Sequence, residues 1–261
     1  MSAAAETKLG QATLTLDSHG DDFALDGVRF KVLEAVNHKS RITDSEGVAL
    51  LKGRKFFQTE LDVVQSIGKV SRVFELGVWQ GGSAALWALT MPLTRYVGID
   101  CRNVDLPFPE GLRRHPRWGV VRLHGNVPQA DRESLRRIVD EDFDGPLDVV
   151  VDDASHMYAH SLASFETLFP RLRPGGMYLI EDWAWAHQPR FQGPGAQWAD
   201  EPALSNLVMR LVILSASRFD VVPSIIIRPG FVAVTRGRVE IGDDFDTERL
   251  ILSRGRKLSL L

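Results

Sequence analysis

The sequence predicts an α/β fold, a mostly parallel sheet with helices on both faces, closed at its C-terminal end by an antiparallel hairpin. Three observations carry that expectation. From Arg72 onward, short apolar runs recur as VFEL (73–76), YVGID (96–100), VVRLHG (120–125), LDVVVDD (147–153) and MYLIED (177–182). Strands buried on both faces read as near-continuous Val, Ile and Leu, which is the pattern of a parallel sheet covered by helices. Between the runs lie helical patterns over 82–90, 131–141 and 160–172, the last stopped by Pro174-Gly175-Gly176. Finally, SIIIRPGFVAVTR (224–236) is two β-rich runs joined by Arg228-Pro229-Gly230, a tight turn that implies a hairpin.

Upstream the pattern is weaker. Residues 1–28 are polar, with TLTL (13–16) as the one alternating stretch, and predict a flexible or strand-swapping arm. From 28 to 68 the pattern is mixed and helical. Phe56, Phe57, Leu61, Val64 and Ile67 form one apolar stripe, so an N-terminal helical cap or lid is expected. The expected organisation is therefore arm and cap over 1–68, the main domain over 69–240 and a charged tail over 241–261.

Composition narrows the partners. The chain of 261 residues carries 31 Lys plus Arg against 34 Asp plus Glu, a net charge of −3, which supplies no basic footprint for nucleic acid. No apolar run approaches the ~20 residues of a membrane helix, and MSAAAETKLG lacks the order of a signal peptide, so a soluble cytoplasmic protein without membrane contact is expected. Cys101 stands alone, which excludes an intramolecular disulfide and any multi-Cys metal site. The N-terminal arm and several tryptophans suggest a homo-oligomer.

FELGVWQGGSA places Glu75, Gly77, Gly81 and Ser83 where a buried strand turns into a helix. Glycines there let backbone approach a ligand, and the helix N-terminus offers free N–H groups to an anionic part of it. Trp79 occupies the position where the dinucleotide fingerprint needs its second glycine, which argues against a pyrophosphate. An acidic Glu75 suits a ligand with cationic charge. S-adenosylmethionine (SAM) meets these demands: its carboxylate for the helix end, its amine and sulfonium for Glu75, and its ribose for Asp100 at the end of the second strand. Asn126, past the third strand, falls where the adenine would lie, and Asp152, ending the fourth, is assigned to the cofactor as well.

The fourth strand ends Asp152-Asp153-Ala154-Ser155-His156 and the fifth Glu181-Asp182-Trp183. Several carboxylates at neighbouring strand tips are costly unless a cation neutralises them. A hard divalent ion such as Mg²⁺ answers that cost, with Asp153, Glu181 and Asp182 as oxygen ligands. An alcohol is too weak an acid to attack a sulfonium efficiently at neutral pH. Coordination lowers its pKa, and His156, three residues beyond Asp153, is placed to take the proton.

These residues resemble a class I SAM-dependent methyltransferase, and more narrowly the Mg²⁺-dependent sugar O-methyltransferases that decorate macrolides, other glycosylated natural products and mycobacterial methylated mannosides. The resemblance runs from about Phe56 to Arg236 through ELGVWQGGS, GID, VDDASH, PGGMYLIEDW and the closing hairpin. It implies a Rossmann-like, seven-stranded, mostly parallel sheet and methylation of a glycoside or saccharide hydroxyl. In this family's D-x-x-H pattern followed by a Glu-Asp pair, Asp153 and His156 would be the catalytic residues, with Asp153, Glu181 and Asp182 on the metal. Ala154 stands where relatives often have Gly, and Asn126 where many methyltransferases have Asp. Two other readings share these residues: a catechol or phenol O-methyltransferase, and a SAM-binding protein without turnover. An Fe(II) oxygenase would need two His and a carboxylate, and only His156 stands suitably at the strand tips.

Overall fold

A computed structural model describes residues 7–16, 21–33, 42–256 and 259. The chain divides into two compact units, Met1–Asn126 and Val127–Leu261.

The first unit opens with a five-stranded sheet in the order β1 (Thr7–Leu9), β2 (Ala12–Leu16), β3 (Phe23–Leu25), β4 (Val28–Val32) and β5 (Val48–Leu50). The first four strands pair antiparallel and β5 adds parallel to β4. This sheet stands where an arm and the start of a helical cap were expected, and residues 1–6, 17–20 and 34–41 of that stretch lie outside the described residues. The physical reason is legible in retrospect. Asp26 and Gly27, at φ +47° and +82°, form a two-residue hairpin loop between Leu25 and Val28, and an Asp-Gly pair tolerates positive φ at both places. Alternation then buries Leu14, Phe23, Leu25, Val28 and Phe30, with Phe23 stacked on Phe30 at 5.0 Å.

Helix α1 (Arg54–Gln65) follows, burying Phe57, Leu61 and Val64 at helical spacing; this is the expected stripe, as the one long helix of the N-terminal region. Lys52 pairs with the fully buried Glu60 at 3.8 Å, so these two charges are committed to structure. The unit then builds three parallel strands in the order β6 (Arg72–Leu76), β7 (Arg95–Ile99) and β8 (Val121–His124). Helix α2 (Gly82–Thr90) connects β6 to β7, and the short α3 (Glu110–Arg113) precedes β8. All nine residues of α2 are buried, and its small residues Ala84, Ala85 and Ala88 permit this.

In the second unit α4 (Arg132–Asp142) is capped by the Asp131 carboxylate, which accepts from Ser134 N at 3.1 Å. β9 (Leu147–Asp152) is buried along its whole length, α5 (Tyr158–Leu168) follows, and β10 (Leu172–Glu181) runs parallel to β9. Pro174-Gly175-Gly176 therefore does not stop a long helix. It makes an irregularity inside β10, where the register with β9 shifts between Leu172 and Met177. After α6 (Ser205–Ser217) come β11 (Ser224–Ile227) and β12 (Phe231–Thr235), the expected hairpin, with β12 antiparallel to β10; α7 (Thr247–Leu250) lies in the charged tail. The strand order here is β11-β12-β10-β9. In the first unit β6, β7 and β8 pair in parallel, in the second β9 and β10 do, and β11 and β12 form the antiparallel closure, as expected. Among the described residues no helix is long and apolar enough to cross a membrane.

The start of α2 is tightly fitted. A Cβ on Gly82 would meet the Ala49 carbonyl oxygen of β5 at 2.3 Å, and that oxygen belongs to backbone that cannot turn aside. Gly82→Ala is expected to lower the unfolding free energy by about 1–3 kcal/mol, read as an earlier midpoint in urea denaturation. An unchanged midpoint would show that β5 yields without cost.

Candidate active site

In the first unit, the turn after β6 is held in a fixed shape. Gly77 N donates to Ile99 O at 2.8 Å, and Gly81, at φ +79°, caps α2 where a Cβ would collide with the Phe108 ring at 2.5 Å. Gln80 is buried and ties the turn to the preceding chain: its Oε1 accepts from Ile42 N and Thr43 N, both at 2.8 Å. Sequence reasoning passed over Gln80, since a lone glutamine in a glycine-rich turn carries no motif. Ser83 is buried in the first turn of α2.

Glu75 is fully buried on β6 and accepts a hydrogen bond from the Tyr96 hydroxyl. Asp100 follows β7 and is only 4% exposed. It accepts from Trp79 N at 2.8 Å and, on both oxygens, from the Arg102 guanidinium at 2.8 Å. Burial pushes its carboxyl up, but the Arg102 side chain and the backbone N–H groups of Arg102 and Trp79 outweigh this and hold it below the usual carboxylate value. Asn126, exposed at φ +59°, donates its N–H to Arg102 O at 3.0 Å. Glu75, Gly77, Gly81, Ser83, Asp100 and Asn126 thus all stand at the carboxyl ends of β6, β7 and β8 or in the turn beyond them.

In the second unit the structure brings together Asp153, His156 and Asp182, whose ligand atoms all lie within 4.8 Å of one another. His156 Nε2 is 3.9 Å from Asp153 Oδ1 and 3.9 Å from Asp182 Oδ2. Parallel pairing sets this up: Ile180 lies opposite Asp152, so the residues after each strand emerge side by side. His156 and Asp182 both adopt left-handed backbone, at φ +56° and +50°, a conformation costly for non-glycine residues and characteristic of functional sites. The closing hairpin braces this tip: Asp182 N donates to Gly230 O at 2.9 Å and the Trp183 indole N–H to Arg228 O at 2.8 Å. Glu181, 3% exposed, stands outside the three-residue group.

Asp152 has a different place from the one its sequence position suggested. Successive side chains of a strand point to opposite faces, so Asp152 and Asp153 part company. The Asp152 carboxylate accepts from Gln129 Nε2 at 2.7 Å, Tyr178 Oη at 3.2 Å and Ser164 Oγ at 3.3 Å, against α5. Burial pushes its carboxyl up to about 6, while His156 and the hydroxyls of Ser161, Tyr178 and Ser164 pull the other way. The aromatic loop after β10 is self-packed: Trp185 meets Phe191 at 5.2 Å and Trp198 at 5.1 Å, and His187 shares a hydrogen bond with Ser205 Oγ at 2.8 Å.

Two carboxylates and an imidazole converging on one point form an oxygen-rich donor set that fits a hard divalent cation. Residues 74–183, from β6 to just past β10, match the family model described as a methyltransferase domain. The chain is 38% identical over 113 residues to 8-demethyl-8-alpha-L-rhamnosyl tetracenomycin-C 2'-O-methyltransferase of Streptomyces olivaceus, covering 43% of this chain and 27% of that protein. It is 39% identical over 129 residues to mycinamicin VI 2''-O-methyltransferase of Micromonospora griseorubida, covering 47% of this chain and 29% of that protein. The matched stretch thus spans less than a third of these curated relatives. Among solved structures it resembles MycE methyltransferase from the mycinamycin biosynthetic pathway, solved with Mg, SAH and mycinamycin VI, at a TM-score of 0.55 and 27% identity over 75% of this chain and 51% of that one.

If the convergent donors hold a cation, adding Mg²⁺ or Mn²⁺ raises the melting temperature of the wild type, because a ligand of the folded state stabilises it by mass action. The Asp182→Ala variant should lose most of that rise. An equal rise in both proteins would place the ion elsewhere.

Proposed function

We propose that this chain is a SAM-dependent, divalent-metal-dependent O-methyltransferase that methylates a hydroxyl on the sugar of a glycosylated small molecule. The observation that carries the reading is the convergence of Asp153, His156 and Asp182 at the tips of β9 and β10. The substrates printed in the relatives' names, both glycosides methylated on a sugar oxygen, support the acceptor class.

Asp153 and Asp182 would hold the ion, and the buried Glu181 adds negative charge at the same tip. The ion, when bound, would supply positive charge that lowers the pKa of an acceptor hydroxyl, and SAM would supply an activated methyl group. The protein's own residues do the rest. Glu75, Gly77, Gly81, Ser83, Asp100 and Asn126 bind the donor, and Asp100 must exchange part of its Arg102 contact to receive ribose hydroxyls. His156 Nε2 takes the hydroxyl proton as the new carbon–oxygen bond forms, a role suited to imidazole near neutral pH. Asp152, bonded to Gln129, Ser164 and Tyr178, holds the strand end. The 4.8 Å grouping leaves His156 able either to act as this base or to join the ion's ligands; the base reading is favoured because two carboxylates already satisfy the hard cation's preference for oxygen.

The test is incubation with SAM, Mg²⁺ and a panel of rhamnosyl glycosides and phenols, read as S-adenosylhomocysteine formed. Turnover on glycosides that stops with EDTA is expected, and His156→Ala should lose about 10²–10⁴-fold in rate while binding S-adenosylhomocysteine as before. Full activity in EDTA would remove the metal, an active His156→Ala would remove the base, and methylation of phenols alone would replace the acceptor class.

A further inference from the structure

The loop that carries Asp153 and His156 has no regular structure, and the His156 ring meets the two carboxylates only through Nε2, at 3.9 Å from each. Among the described residues its Nδ1 is buried without a hydrogen bond. Functional histidines usually have the second ring nitrogen fixed by a carboxylate or carbonyl. Here no hydrogen bond fixes Nδ1, so the backbone that bears the ring contributes to its direction. Two side chains grip that backbone. On one flank the Trp185 indole N–H donates to His156 O at 2.8 Å. On the other, Gln129 Oε1 accepts both Ser155 N at 3.1 Å and Ser155 Oγ at 2.6 Å.

Gln129 is 7% exposed and comes from the segment before α4, well apart in sequence from the loop it grips. Its amide has one possible orientation. Ser155 N can only donate and a carboxylate only accepts, so the oxygen must face Ser155 and the NH₂ group Asp152. The NH₂ group reaches Asp152 Oδ1 at 2.7 Å, with Ser161 Oγ and Ser164 Oγ each at 3.2 Å. One side chain therefore fastens the fixed end of β9 to the loop three residues later, across the stretch that holds Asp153. Ser155 Oγ in turn accepts from Met157 N at 3.3 Å, carrying the restraint past His156 to the start of α5.

We propose that Gln129 is a positioning residue for the reaction: it sets the direction of Asp153 and His156 through Ser155 without touching substrate, donor or ion. The inference rests on the metal reading above and adds a residue to it. It predicts that the loop keeps its chain path but loses its alignment when the amide is removed.

The test uses the full chain and Mn²⁺ alone as probe, with affinity read by electron paramagnetic resonance at a temperature where circular dichroism shows each variant folded. Gln129→Met, close in size and unable to make these bonds, should bind Mn²⁺ about 10-fold more weakly or worse, the usual cost of losing an outer partner of a metal site. Its affinity for S-adenosylhomocysteine, by calorimetry, should not change. Ser155→Ala, which keeps the N–H but loses the hydroxyl, should fall in between, and the double variant should be no worse than Gln129→Met, because the two residues act through one contact. Wild-type Mn²⁺ affinity in Gln129→Met overturns the proposal. So does an equal loss of both ligands, which marks general damage. If Gln129→Met does not fold, Ser155→Ala decides by the same criterion. A wild type that binds no Mn²⁺ brings down the metal reading and this inference together, whereas a wild type that binds Mn²⁺ and a Gln129→Met variant that binds it equally well bring down only the inference.

Discussion

Asp153, His156 and Asp182 bring one ligand atom each within 4.8 Å of the others, with the imidazole 3.9 Å from both carboxylates, and two like charges drawn that close favour a positive partner. The backbone beneath them is itself strained, with His156 and Asp182 both left-handed. Much of the second unit works to hold this arrangement. β9 and β10 run parallel with one continuous register from Met177 to Ile180, the β11–β12 turn braces Asp182, the Trp185 indole secures the His156 carbonyl, and Gln129 fastens Ser155. A dication bound there would convert the mutual repulsion of the two carboxylates into shared attraction.

The first unit solves a different problem with the same means. A turn that must present backbone to a ligand cannot also be floppy. Gln80 pins it through two backbone N–H groups, Phe108 fills the space that a Cβ on Gly81 would need, and Asp100 restrains Trp79 N. Trp79, Asn126, His156 and Asp182 are all non-glycine residues with positive φ beyond strand ends, so backbone strain in both units gathers where ligands of α/β sheets bind.

Much of this could be read from the residues. Apolar runs marked β6 to β9 to within a residue or two, because strands covered on both faces need continuous Val, Ile and Leu and leave little ambiguity. Helix α2 was legible at both ends, and so was the hairpin, whose Arg-Pro-Gly turn has few alternatives. The N-terminal sheet was not, because its strands are three to five residues long and half polar, and the Asp26-Gly27 signal was outweighed by the polar composition around it. Pro174-Gly175-Gly176 misled for a related reason: the same residues end a helix or bend a strand, and only pairing with β9 decides. Within the site, Asp153, His156 and Asp182 followed from spacing, whereas the inward turn of Asp152 depends on which face of β9 meets α5. Gln80 and Gln129 carry no sequence signature, since their roles exist only once distant segments are packed.

The claim on which the rest depends is that Asp153 and Asp182 converge in order to share one cation. Anomalous diffraction from crystals grown with Mn²⁺ tests it most directly. One strong peak should appear between the two residues, at about 2.0–2.3 Å from a carboxylate oxygen of each. A map with no peak there, and the two side chains turned away from each other, would contradict it.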